Sequence, residues 1–159
     1  MRLLFSEVLE KVSKAKTKPQ KIDILQENKT ESLKMVIKAS FDPKIKWVFP
    51  EGNVPYVPND APAGTEHTVL EQEAKKLWHF IEGADRKTPQ FKKEQMFIQI
   101  LEGLHESEAE LLIAAKDKKL HQKYKGLSKQ VVQTAFGWNE DYMQEEYPQG
   151  SRSASGIAG

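Results

Sequence analysis

Proline placement decides where this chain can be helical. Five of its eight prolines fall at positions 43, 50, 55, 58 and 62, with Gly52 and Gly64 among them. Each proline removes an amide donor and clashes with the preceding turn, so no long helix crosses residues 43–66. On both sides of that stretch, apolar residues recur at helical spacing. The expectation is an all-α fold, a compact bundle of about six or seven helices with one long Pro-rich extended loop over residues 43–66. The loop carries Trp47, Val48, Phe49, Val54, Tyr56 and Val57, so it should lie against the body. A connection this long is uncommon in a compact domain and often functional.

The helical segments come with start and stop signals. Leu4, Val8, Val12 and Ala15 form one stripe, with Phe5 and Leu9 beside it. Thr17-x-x-Gln20 has the spacing of a capping box, and Pro19 suits a first turn. Thr30 should cap a third helix that buries Leu33, Val36, Ile37 and Phe41, and Asp42-Pro43 should stop it. Past the loop, Thr68-x-x-Glu71 predicts a capped helix with Leu70, Ala74, Leu77, Trp78 and Ile81 inward and Gly83 as its stop. Thr88-Pro89 opens a further helix burying Phe97, Ile100, Leu101 and Leu104. Ser107-x-x-Glu110 caps one with Leu111, Leu112 and Ala115. Ser128 caps the last, with Val131, Val132, Ala135 and Phe136 inward and Gly137 at its end. No internal repeat is present. The expected organisation is a single helical domain over 1–137, an acidic and aromatic segment over 138–149, and a disordered Gly/Ser/Ala-rich tail over 150–159.

Composition narrows the function classes. A chain of 159 residues with 38% hydrophobic and 30% charged residues can bury an ordinary globular core. It has no cysteine, which excludes disulfides, thiolate zinc ligands and a thiol nucleophile. No apolar run approaches the roughly 20 residues that span a bilayer. The opening Met1–Phe5 run is broken by Glu7, Glu10 and Lys11, and reads as the start of an amphipathic helix, not a signal peptide. A reducing, intracellular location is expected.

Motifs for chemistry are missing. His67, His79, His105 and His121 do not form an HExxH pair. Glu106, Glu108 and Glu110 cluster at a helix start, where negative charge complements the helix dipole. There is no GxxxxGK[ST], GxGxxG or GxSxG. We expect neither a cofactor nor a metal, and no self-sufficient enzyme site.

The lysines carry more information. Net charge is only +1, but residues 1–46 hold 11 Lys/Arg against 6 Asp/Glu, and residues 116–129 hold six Lys and one Asp. Lys116, Lys118, Lys119, Lys123, Lys125 and Lys129 surround Gly126, just before the helix start at Ser128. Glycine lets the backbone approach a phosphate, the amides of a helix start favour an anion, and flanking lysines neutralise backbone charge. A solvated Lys-rich turn would have the same composition.

The stretch Leu120–Phe136 (LHQKYKGLSKQVVQTAF) resembles a segment of the N-terminal DNA-binding domain of ATP-dependent DNA ligases. Lys123, Lys125, Gly126, Val131, Val132 and Ala135 hold comparable positions. The N-terminal pattern of Leu9, Val12, Thr17-Lys18, Gln20-Lys21, Ile24-Leu25, Asn28-Lys29, Leu33-Lys34 and Val36 is similar to the opening of the T-even phage ligase type. A second likeness, carried by Pro50–Tyr56 (PEGNVPY), Asn59–His67 (NDAPAGTEH), Phe97–His105 (FIQILEGLH) and Lys116–Leu120 (KDKKL), is to a short uncharacterised protein family of T-even-like marine phages. The adenylated lysine motif of ligases, Lys-x-Asp-Gly, has no counterpart. Its nearest approach, Lys21-Ile22-Asp23-Ile24, lacks the glycine. The resemblance therefore implies a phage protein with a DNA-binding domain and no ligase chemistry.

Two functional expectations follow. In the first, Lys14, Lys16, Lys18, Lys21, Lys116, Lys118, Lys119, Lys123, Lys125, Gly126, Ser128 and Lys129 contact the backbone of intact or nicked double-stranded DNA in phage DNA metabolism. In the second, the same scaffold serves virion assembly or binds phage replication proteins. There Trp47, Phe49 and Tyr56 of the loop, with Trp138 and Tyr142 near the C-terminus, form the docking surface. Neither expectation involves a membrane.

Overall fold

The computed structural model describes residues 3–59 and 68–144. Within them are eight α-helices and one 3-10 helix, with no extended strand. In chain order these are α1 (Phe5–Lys14), α2 (Lys18–Glu27), α3 (Glu31–Phe41), α4 (Leu70–Glu73), the 3-10 helix (Ala74–Phe80), α5 (Gln90–Gly103), α6 (Glu106–Lys116), α7 (Leu120–Lys123) and α8 (Lys129–Phe136). The buried apolar residues form one continuous cluster running from Phe5 to Tyr142. No helix among the described residues is long and apolar enough to cross a membrane.

Several helix ends follow the local code. Thr17 accepts from the Gln20 amide at 3.3 Å, while the Gln20 side chain takes the Thr17 amide. Thr30 and Ser128 accept from Leu33 and Val131 at 3.0 and 3.2 Å. Gly137 ends α8 in the left-handed region at φ +67°, a conformation that costs most other residues energy.

Two expected caps are replaced. Thr68 lies outside α4, whose N-cap is Val69, and the Thr68 hydroxyl donates to Glu73 at 2.8 Å. α6 starts at Glu106, before Ser107, because the His105 ring accepts the Ser107 amide at 3.1 Å. Ser107 is then free to pair its hydroxyl with Ser6 of α1 at 2.8 Å.

The helix expected over residues 68–83 tightens to three residues per turn. At that pitch Ala74, Leu77 and Phe80 share one face, and all three are buried. Trp78, expected inside, is 49% exposed. The chain leaves the helix at Ile81 because it pairs with the loop: Val48 donates to the Phe80 carbonyl at 2.8 Å and Glu82 to the Lys46 carbonyl at 2.7 Å. That short antiparallel bridge seats Trp47 opposite Ile81. Phe49 then packs between Phe80 and Phe97, with ring centroids 5.3 and 4.8 Å away. The first part of the Pro-rich loop is thus an extended segment held on the body. Its expected continuation over residues 60–66, like the expected tail at 150–159, falls outside the described residues.

Glu108 ties the N-terminal helix to the rest. Its buried carboxylate accepts the Phe5 amide at 2.8 Å and the Leu70 amide at 2.9 Å, so one side chain of α6 satisfies the starts of α1 and α4. Leaving a buried amide unsatisfied costs about 1–3 kcal/mol. Glu108→Ala is therefore expected to lower stability by about 2–5 kcal/mol in urea unfolding. Glu108→Gln, which keeps one acceptor oxygen, should cost less.

Candidate nucleic-acid interface

The N-terminal lysines and the glycine turn are more than a hundred residues apart in sequence, yet they meet. α2 packs along α8. The Lys18 ammonium donates to the Gln130 side chain at 2.5 Å. Gly126 sits directly against Lys21: a Cβ built there would come within 2.7 Å of the Lys21 Nζ and 2.9 Å of its Cε. With φ +91° as well, Gly126 is a position where only glycine fits without displacement. The glycine and Ser128 are both exposed to solvent.

The turn from Gly126 to Lys129 lines an open groove of roughly 520 Å³, together with Ser40, Phe41 and Pro43 at the end of α3 and His121. A second open hollow, of roughly 530 Å³, lies between α1 and α2 and is lined by Lys11, Lys14, Ala15, Gln20, Asp23 and Ile24. Ser128 takes the Val131 amide with its hydroxyl and the Val132 amide with its carbonyl. The Lys129 and Gln130 amides of α8 have no acceptor among the described residues.

Not every lysine of the expected set faces outward, and three must be removed from it. Lys116 has a fully buried side chain and donates to the carbonyls of Pro50 at 2.7 Å and Gly52 at 3.1 Å, and to Asp117 at 2.6 Å. Lys118, in the left-handed region at φ +61°, donates to the carbonyls of Ala39, Asp42 and Ile45 at 3.1, 2.6 and 2.7 Å. Burial pushes the Lys118 pKa down, and the nearby Asp42 charge opposes that shift. Lys21 donates to the Val12 and Ala15 carbonyls at 2.9 and 2.6 Å, closing the end of α1. Each of these ammoniums is committed to backbone carbonyls, which withdraws it from contact with a phosphate.

The remaining lysines divide again. Lys119 pairs with Glu51, and Lys123 lies 3.5 Å from Glu110. Lys14 is 3.8 Å from Glu10, and Lys129 is 2.7 Å from Glu140. Lys16, Lys18 and Lys125 are exposed and meet no carboxylate among the described residues. Exposed pairs of this kind hold weakly, at about 0–1 kcal/mol, and yield to a competing anion.

The aromatic docking surface does not form as expected. Trp47 is buried with its indole N–H on the Ala39 carbonyl at 3.0 Å. Trp138 and Tyr142 are buried against each other and Phe136, with centroids 6.0 and 4.9 Å from the Trp138 rings. Phe49 and Tyr56 are half-buried against the core. These side chains cover apolar surface, and among the described residues the exposed large aromatics are instead Trp78 and the 63% exposed Phe91. Nothing in the sequence marked either: Trp78 stood on the inner face of an ordinary helix.

The described histidines also have local roles. His79 Nδ1 lies 2.7 Å from Asp85, whose other oxygen accepts the Lys87 and Thr88 amides. The His79 contact, with help from Thr88, holds the Asp85 carboxyl far below the usual carboxylate range. No group of three or more metal-ligating side chains occurs among the described residues.

The division of lysines has a direct test. Lys116→Met removes the donor to Pro50, Gly52 and Asp117, and Lys118→Met removes the donor to Ile45 and one of two donors to Ala39 and Asp42, so each should lower stability by about 1–3 kcal/mol. Lys16→Gln and Lys125→Gln should move it by no more than about 0.5 kcal/mol. Urea denaturation of the four variants separates the two classes.

The model of a family of unknown function, DUF6433, matches residues 8–122. No curated protein and no solved structure matches the chain. The matched span begins within α1, includes α2, α3, the described part of the Pro-rich segment and its lysine clamps, and stops short of Gly126.

Proposed function

We propose that this chain, which belongs to the family of unknown function DUF6433, is a non-catalytic DNA-binding accessory protein of phage DNA metabolism that contacts the backbone of intact or nicked duplex. The observation that carries this reading is the packing of the N-terminal lysine corner against the glycine turn, with Lys18 on Gln130 and Lys21 beneath Gly126. It brings Lys18 and Lys21 to an exposed, glycine-containing turn flanked by Lys125 and Lys129. The likeness of both stretches to ligase DNA-binding domains supports the same reading.

The chemistry supports backbone contact without sequence readout. Lysine ammoniums are point charges that neutralise phosphates but do not grip them in the bidentate way of arginine. Contacts to phosphate fix position and carry no base information. With a net charge of +1 there is little long-range attraction, so affinity should lie in the non-specific range, on the order of 10⁻⁴–10⁻⁶ M.

Fluorescence anisotropy with labelled duplex, intact and nicked, provides the test. At about 50 mM salt both should bind, and log affinity should fall with log salt at about 0.9 per phosphate contacted. Lys16→Gln, Lys18→Gln and Lys125→Gln should each reduce that slope by about 1. Absence of any complex at this salt refutes the reading.

A further inference from the structure

Glu140 and Asp141, in the turn after Trp138, each pair with a lysine. Glu140 meets Lys129 at 2.7 Å, and Asp141 meets Lys44 at 3.1 Å. Lys129 lines the groove from the α8 side, and Lys44 follows Pro43, which lines it from the α3 side. Adjacent acidic residues therefore each pair with a lysine, one that lines the groove and one that follows a lining residue. Lys44 falls in the basic stretch 1–46 but was not among the lysines expected to contact DNA.

The turn that carries these acids is firmly built. Trp138 and Tyr142 anchor its two ends in the core. The Asn139 side chain accepts the Asp141 and Met143 amides at 2.8 and 3.2 Å, and the Asn139 amide donates to the Met143 carbonyl at 2.9 Å. The backbone that carries the two carboxylates is thus ordered. All four charged side chains remain more than half exposed, so an incoming anion can reach the ammoniums.

We propose that Lys44 and Lys129 form a phosphodiester-binding subsite at the mouth of the groove, and that Glu140 and Asp141 occupy it in the free protein as stand-ins for phosphate oxygens. This rests on the DNA-binding reading and deepens it. A phosphodiester reaching the groove displaces the acidic turn from both lysines, which then add to the contacts made by Lys16, Lys18 and Lys125. Because exposed pairs of this kind hold weakly, the carboxylates compete weakly with an anion and yield to a polyanion already held by neighbouring lysines.

The test uses the full chain and a labelled duplex of about 20 base pairs, with anisotropy read across a salt series. E140Q/D141N should bind about 3–10-fold tighter than wild type, with a log–log salt slope steeper by up to about 2, one increment for each cation released. Adding K44Q/K129Q to that variant should abolish the gain. E82Q/E94Q makes the same change in net charge elsewhere on the surface and should give a smaller change. Equal affinity of wild type and E140Q/D141N overturns the subsite while leaving the DNA-binding reading in place. So does an equal gain from E82Q/E94Q. If neither wild type nor E140Q/D141N binds, both the subsite and the DNA-binding reading fall. Thermal unfolding of each variant, expected to match wild type, confirms that the comparison is between folded proteins.

Discussion

A single carboxylate settles how the N-terminal third meets the remainder. Glu108 lies on α6, but the amides it accepts belong to the starts of α1 and α4. Helix starts leave amides without intrahelical partners, and burial makes that costly. With both starts satisfied from one side chain, α1 can place Phe5, Val8, Leu9 and Val12 in the core. The neighbouring Ser6–Ser107 pair fixes the same junction from its edge. α2 then follows α1 by a short corner closed by Lys21, and α8 packs on α2. The exposed lysine turn is therefore positioned by a chain of contacts that begins at a buried acid.

Lysine plays two opposed parts in this molecule. Lys116, Lys118 and Lys93 point inward and donate to carbonyls of the loops. Proline-rich backbone cannot supply enough amide donors for its own carbonyls. An ammonium offers three donors on a flexible stem and can serve carbonyls that face in different directions. The outward lysines keep their charge in water, loosely matched by acids or not matched at all. A charge count along the chain adds the two populations together, which explains why the lysine-rich stretch at 116–129 overstated the available positive surface.

Much of the fold was legible because it is locally encoded. Thr17 with Gln20, Thr30, Ser128 and Gly137 act within a turn of their own position, so spacing alone identifies them. The misplaced features are those decided by distant partners. Ser107 lost its cap role to His105, and Thr68 lies outside the helix it was expected to cap. The 3-10 geometry that turned Trp78 outward depends on Lys46 and Val48 pairing with Phe80 and Glu82. At the candidate site, the glycine turn was readable from the sequence because a positive-φ glycine before a serine cap is a local signal. The inward direction of Lys116 and Lys118 was not, since the carbonyls they serve lie more than sixty residues away.

Lys118 has a consequence for how the groove behaves in solution. Three carbonyl oxygens converge on its ammonium much as they would on a potassium ion, except that this cation is covalently tethered. A tethered ion does not exchange with the buffer, so its occupancy is independent of ionic strength. The wall formed by Ser40, Phe41 and Pro43 therefore keeps its shape while added salt weakens the outer lysines. Ionic conditions can tune how strongly the surface attracts a polyanion without reshaping the surface itself.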